Sequence, residues 1–215
     1  MSIADMRREY KQAALNEADA DPNPIRQFDK WFEQAVAVNT GEWFEPNAMT
    51  LATVTPDGQP SARVMLLKDF NDDGFTFYTN YDSQKGCELA ANPRAALVFH
   101  WPAIERQVRI EGTVDRLSHE ESLVYHLTRP RGNQLGALVS QQSQVIPSRQ
   151  VLEARLKQLE AELADKDVPL PAQWGGYLLR PWAIEFWQGR PDRLHDRLRY
   201  TRHSDGTWRI ERLSP

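Results

Sequence analysis

The residues best suited to chemistry gather in one stretch, Glu185-Phe-Trp-Gln-Gly-Arg-Pro-Asp-Arg-Leu-His-Asp-Arg-Leu-Arg-Tyr200, where an apolar run gives way to cations. If the chain is extended after Pro191, side chains alternate between faces, so Arg193, His195 and Arg197 share one face and Leu194, Asp196 and Leu198 take the other. At about 3.3 Å per residue this row spans roughly 13 Å, the length of one ring ligand lying beside another. Trp187 enters just ahead of it. Two guanidinium groups, an imidazole and an aromatic body with one ring N–H suit a flat, anionic, hydrogen-bonding ligand. The competing account is an edge strand kept soluble by charge, with Asp192 and Asp196 paired locally to the arginines.

Further cations stand at strand ends and turns. In Arg63-Val-Met-Leu-Leu-Lys68 the two charges fall at odd and even positions, hence on opposite faces unless a bulge intervenes. Tyr125 and Arg129 lie one helical turn apart at a helix C-terminus, where the backbone dipole repels an anion and a phosphate would depend on side chains. Ser83-Gln-Lys85 offers hydroxyl, amide and ammonium donors near a helix start, and Gln107 and Gln142-Ser143 can meet a heterocycle edge. Each piece has a plainer account: polar ends of a buried strand, a helix C-cap at Arg129, surface glutamines. The glycine-rich dinucleotide fingerprint, the P-loop, His-Glu-x-x-His and Gly-x-Ser-x-Gly are all absent. Phosphate binding would therefore fall to arginine forks, lysine charges and hydroxyls.

These residues need elements to hold them. Residues 3–16 can form a helix, followed by an acidic, proline-containing break at 19–24. Pro24 then opens an amphipathic helix with Ile25, Phe28, Phe32, Ala35 and Val36 on one face. Strands are expected at 49–55, 61–68, 75–79, 95–101 and 106–117, with turns at Pro56-Asp-Gly-Gln59 and Asp72-Asp-Gly74 and a short helix over 83–91. Ser118 to Glu121 has the capping-box pattern for a helix that Pro130 must stop, leaving Arg129-Pro-Arg-Gly-Asn133 as a cationic turn. Ser148 caps another helix, with Leu152, Leu156, Leu159 and Leu163 on one face. Closing strands are expected at 176–179, 183–188, 198–202 and 207–213. The pattern predicts an α+β fold built on a mainly antiparallel barrel, with residues 1–23 as a mobile N-terminal arm and 24–215 as a single domain.

Composition narrows the function classes. A chain of 215 residues with 40% apolar and 26% charged residues is ordinary globular material. The formal net charge of -4 argues against broad nucleic-acid binding, though not against a local basic site. Cys87 alone gives no intrachain disulfide and no cysteine-rich zinc site, so no metal is expected. No run reaches signal-peptide or membrane-span length, which fits a cytoplasmic protein that meets neither membrane nor nucleic acid.

The order of the pieces carries more than any one of them. Arg63-Val-Met-Leu-Leu-Lys68, Phe77-Tyr-Thr-Asn80, Glu105-Arg-Gln-Val108, Ser140-Gln-Gln-Ser143, Trp174-Gly-Gly176, Glu185-Phe-Trp-Gln-Gly189, Arg193-Leu-His-Asp-Arg197 and Arg212-Leu-Ser-Pro215 together resemble the pyridoxine/pyridoxamine 5′-phosphate oxidase family, nearly end to end. The resemblance implies an FMN-binding split β-barrel with peripheral helices, a homodimer with FMN held between subunits, and oxidation of pyridoxine 5′-phosphate or pyridoxamine 5′-phosphate to pyridoxal 5′-phosphate by O2, with H2O2 released. It implies that Arg63, Val64, Met65, Leu66, Leu67, Lys68, Tyr78, Thr79, Gln84, Lys85, Gln107, Gln142, Ser143, Trp187 and Arg197 surround FMN. It implies that Lys68, Tyr125, Arg129, Asn133, Arg193, Leu194 and His195 meet the substrate, with Arg193 and His195 at the reacting end, and that Arg7 and Tyr10 lie on an arm covering the site. Two positions depart from the family pattern: Gln84 stands where many relatives carry arginine, and Asn133 where a serine is common. Three other functions compete: a split-barrel flavin reductase, a non-catalytic flavin- or pyridoxal-phosphate-binding protein, and single-stranded nucleic-acid binding, which net acidity disfavours.

Overall fold

The computed structural model describes residues 2–6, 9–38, 41 and 44–215. Asn23 accepts the Ile25 N–H at 2.8 Å and Pro24 needs no donor partner at the first helical position, so helix α1 runs over Pro24–Ala37. Its buried face is Ile25, Phe28, Trp31 and Ala35, whereas Val36, expected on that face, is exposed. The Phe28 ring lies 5.0 Å from each of Phe70, Phe75 and Phe99, which seats α1 on the sheet.

The strands are β1 (Ala48–Val54), β2 (Pro60–Leu66), β3 (Asp69–Asn71), β4 (Gly74–Asn80), β5 (Arg94–Trp101), β6 (Arg106–Arg116), β7 (Trp174–Gln188), β8 (Asp196–Arg202) and β9 (Trp208–Arg212). They pair antiparallel throughout, in the order β2-β1-β5-β6-β7-β4-β3, with β8 and β9 continuing from β7. β7 belongs to two surfaces at once: residues 174–179 pair with β4, residues 183–188 pair with β8, and β6 runs along both parts. That shared long pair curls the sheet into a split barrel. Two separate strands were expected here, but the chain is continuous. Pro181 sits opposite the register shift between Glu111 and Gly112, the place in a central strand where a missing N–H is tolerated.

Four more helices lie outside the sheet: α2 (Gln84–Ala91), α3 (His119–Thr128), α4 (Arg131–Val139) and α5 (Arg149–Glu162). The capping box of α3 is formed on both sides, Ser118 and Glu121 each accepting the other's backbone N–H. Ser148 precedes α5 but its side chain makes no capping bond. The expected cationic turn at 129–133 is instead the start of α4. Pro130 ends α3 and, at φ -51°, opens the next helix. α4 and α5 close a small second core of Leu135, Leu159 and Val168.

Two expectations near the ends of the chain fail, the first because tertiary partners replace local ones. Residues 3–16 form only a short 3-10 turn over Ile3–Asp5, followed by irregular chain. Their backbone N–H groups at Lys11, Gln12 and Leu15 go to distant carboxylates rather than up a helix, and Leu15 is buried in the main core. After Pro191 the chain is not extended. Pro191–Arg193 form a 3-10 turn, Asp192 and Arg193 take φ of 56° and 61°, and β8 begins only at Asp196. The alternating row of Arg193, His195 and Arg197 therefore does not exist as a strand face.

Candidate active site

Helix α2 builds a cation-lined corner. Ser83 caps it, accepting the Gly86 N–H, and Lys85 is 94% buried with its Nζ 3.1 Å from Ser83 Oγ and 3.3 Å from Thr79 Oγ1. Burial, then the neighbouring Arg63, pull the Lys85 pKa down, and Glu88 pulls against them. The Arg63 guanidinium bonds Thr53, Ser61 and Glu88. Burial alone would raise the Glu88 pKa, but hydrogen bonds from Thr53, Ser61 and Gln84, with the charge of Arg63, bring it to about 2. Gln84, the uncharged departure, spends its amide on Glu88 at 2.8 Å, and its backbone N–H donates to Ser143 Oγ at 3.2 Å. Thr79 Oγ1 donates to Gln142 Oε1 at 3.4 Å. Arg63, Thr79, Gln84, Lys85, Gln142 and Ser143 thus meet in one place, although 80 residues of sequence separate the first from the last.

Beside it, Met65, Leu66, Lys68, Tyr78, Tyr125, Arg129, Asn133 and Trp174 line a cleft of about 480 Å³. Lys68 escapes the parity argument because β2 ends at Leu66 and the Lys68 N–H donates to Thr76 O at 2.9 Å. Tyr78, Tyr125 and Trp174 stack in parallel, with Tyr78 and Tyr125 3.9 Å apart and Tyr78 and Trp174 5.5 Å apart. The Arg129 guanidinium lies 4.5 Å over the Trp174 ring, and its Nη1 is buried without a protein partner. A half-buried guanidinium with a buried, unused donor suits an anion. Arg129 and Asn133 also flank the N-terminus of α4, whose dipole favours an anion there rather than repelling one.

A second cleft of about 580 Å³ is lined by Met6, Glu9, Tyr10, Arg190, Asp192, Arg193 and His195. The His195 ring is 4.6 Å from Trp187 and 5.7 Å from Tyr10. The Arg190 N–H donates to His195 Nδ1 at 3.1 Å, so the neutral ring carries its proton on Nε2. Burial, followed by the charge of Arg193, lowers the His195 pKa and keeps it neutral at pH 7. The turn thus achieves by left-handed backbone what a strand was expected to do, bringing Arg193 and His195 to one cleft. Arg197 is held elsewhere: its Nε and Nη2 bond Glu185 at 2.9 and 3.1 Å, and Nη1 bonds Ser214 O. Gln107 pairs with Trp187 across β6 and β7.

Three expected site residues present their side chains differently. Leu67 is buried in the main core, Val64 is 70% exposed on edge strand β2, and Leu194 is 69% exposed. Arg7 lies outside the described residues. Sequence reasoning passed over Trp174 as a platform and Glu88 as the counter-charge of Arg63. The position of Glu88 one turn after Gln84 was the available signal. Among the described residues, no cluster of three or more His, Cys, Asp or Glu residues could hold a metal ion, and no helix is long and apolar enough to cross a membrane.

The chain is similar to known proteins along its length. Residues 39–162 match the family described as pyridoxamine 5′-phosphate oxidase, and residues 174–215 match the pyridoxine 5′-phosphate oxidase C-terminal dimerisation region. The chain is 59% identical over 214 residues to a pyridoxine/pyridoxamine 5′-phosphate oxidase of Gloeothece citriformis, covering 100% of this chain and 99% of that one. It is 56% identical, at the same coverage, to the enzyme of that name from Nostoc sp.. The crystal structure of PhzG from Burkholderia lata, in complex with tetrahydrophenazine-1-carboxylic acid, superposes with a TM-score of 0.87 at 31% identity, covering 95% of this chain and 99% of that one. An antiparallel split barrel carrying two cation-lined clefts, matched along its whole length to these relatives, belongs to the pyridoxine/pyridoxamine 5′-phosphate oxidase family.

Proposed function

We propose that the protein oxidises pyridoxine 5′-phosphate and pyridoxamine 5′-phosphate to pyridoxal 5′-phosphate, with FMN as cofactor and O2 as acceptor, working as a homodimer in the cytoplasm. The observation that supports the reading is the presence of two cation-lined sites of different build. The reaction joins two phosphate monoesters, one on FMN and one on the substrate. The buried corner of Lys85, Arg63, Thr79 and Ser83, cross-linked to Gln142 and Ser143, fits the permanently held phosphate. The cleft of Lys68, Tyr125, Arg129 and Asn133, with the unused Arg129 Nη1, fits the exchanging one.

The chemistry supplied by bound FMN is acceptance of a hydride from the substrate's C4′ carbon, the accompanying proton going to solvent, and delivery of the electron pair to O2, released with two protons as H2O2; for pyridoxamine 5′-phosphate water then replaces the nitrogen, which leaves as ammonia. The protein's part is placement. Lys68 and Arg129 neutralise the substrate phosphate and Tyr125 adds a hydroxyl donor. Arg193 and His195 orient the pyridine ring and its substituents. Because Nδ1 already accepts from Arg190, neutral His195 acts as an Nε2–H donor and not as a base. The Tyr78 phenol, raised to about 12 chiefly by burial, stays neutral beside the phosphate site. Arg197, paired with Glu185, supports the region near Trp187 as half of an ion pair rather than as a free cation.

The test is the absorption spectrum of the purified protein, followed by anaerobic addition of pyridoxine 5′-phosphate. A flavin spectrum that bleaches with substrate and returns with air is expected. A colourless protein that binds no added FMN overturns the proposal. So does a flavin that bleaches with NADH and not with the vitamer.

A further inference from the structure

Glu105 stands at the turn before β6 with φ 57° and ψ 40°, a conformation that residues other than glycine rarely adopt, and is only 3% exposed. Its carboxylate Oε2 accepts two backbone N–H groups from far along the chain, Lys11 at 2.8 Å and Gln12 at 3.1 Å. Gln12 Nε2 reaches the same turn, donating to Ala103 O at 2.9 Å. The residue just before these two amides is Tyr10, whose ring stands edge-on to both Trp187 and His195, each centroid 5.7 Å away. Gly189 leaves room for that ring, since a Cβ there would lie 2.7 Å from Tyr10 Cγ.

The segment after residue 12 is secured independently. Ala13 O accepts from Arg190, Leu15 is buried with its N–H on Asp196, and Glu17 pairs with Arg212. Those contacts hold the chain to the barrel without fixing where Tyr10 points. The Glu105 bonds fall on the two amides that do.

We infer that Glu105 is a positioning residue: it holds the backbone behind Tyr10 so that the tyrosine ring closes over His195 and Trp187, on a floor that Gly189 keeps open. The inference rests on the reading of that cleft as the place of the substrate ring.

The experiment uses the FMN-loaded protein and Glu105→Gly, because glycine suits φ 57° and the change removes the carboxylate without straining the turn. Hydrogen exchange at Lys11 and Gln12 should speed up by about tenfold or more while β6 and β7 exchange as in the parent. KM for pyridoxine 5′-phosphate should rise about threefold or more with FMN content unchanged. Gly189→Ala, which leaves Glu105 alone, should reproduce the KM rise by displacing the ring. In a Tyr10→Ala background, Glu105→Gly should add nothing further to KM. Parent-like exchange at both amides overturns the inference, as do KM effects of Glu105→Gly and Tyr10→Ala that multiply independently. A parent protein that does not oxidise pyridoxine 5′-phosphate sinks the functional reading instead, and the exchange result then decides the Tyr10 seat alone.

Discussion

A single backbone bond sets what His195 can do. With the Arg190 N–H directed at Nδ1, protonation of the ring would put two donors face to face at 3.1 Å, and Arg193 adds a like charge to the same cleft. Burial and Arg193 together lower the folded pKa below 6.5. The sign follows: the ring's contribution to stability is complete above the unfolded pKa of about 6.5 and is lost as pH falls through the lower folded value. Imidazole nitrogen shifts should therefore report the Nε2–H tautomer at pH 7 and a titration midpoint below that of a free histidine. An Nδ1–H tautomer, or a midpoint above 6.5, would leave His195 able to act as a base. Lys85 follows the same logic with a different outcome: burial and Arg63 disfavour its charge, so an arriving phosphate relieves a cost already present in the folded corner.

At the scale of elements, α2 shows how close packing aims a lysine. Gly86 follows Lys85 and lies against the end of β4; a Cβ there would stand 2.1 Å from Tyr81 O and 2.8 Å from Asn80 O, both backbone atoms with little room to yield. Gly86→Ala should push α2 outward, costing about 1–3 kcal/mol of stability in urea unfolding and weakening FMN binding together. Parent-like values for both would mean that the helix has slack and that Lys85 is aimed by its own hydrogen bonds. Such local devices were the legible part of the chain. The Ser118–Glu121 box and the Pro24 start need only neighbours in sequence, and both formed where their residues stand, whereas Ser148 stands before α5 without bonding it. What could not be read depended on distant partners or on backbone that side-chain pattern does not encode. Pro181 looked like the end of a strand because its register shift lies on β6. Asp192 and Arg193 looked extended because nothing in an Asp-Arg pair announces two left-handed residues. Arg129-Pro-Arg-Gly looked like a turn because proline ends one helix as readily as it begins another. The expected site residues came from the ordered resemblance rather than from spacing. Among the apolar ones within the described residues, Val64 and Leu194 are exposed and Leu67 is buried in the main core.

At the scale of the whole molecule, the chain divides its site. Among the described residues, the cleft around Arg129 and the cleft around His195 share no lining residue, yet the proposed substrate needs its phosphate in the first and its ring near the second. One chain holding both groups of residues in separate clefts is the arrangement expected when each site is completed by a second copy. The match of residues 174–215 to a dimerisation region puts β7, β8 and the His195 turn in the segment that would meet it. Mixing subunits tests this directly. Arg129→Ala and Arg193→Ala should each be nearly inactive alone, because a charged hydrogen bond to a ligand is worth about 1.5–3 kcal/mol and each cleft would lose one. When the two variants are unfolded, mixed and refolded together, about half of the dimers should pair unlike chains. If a site draws Arg129 from one chain and Arg193 from the other, each such dimer carries one site with both defects and one with neither. Activity should then return to about a quarter of the parent level. If both residues of a site come from the same chain, every site in every mixture keeps one defect, and no activity returns.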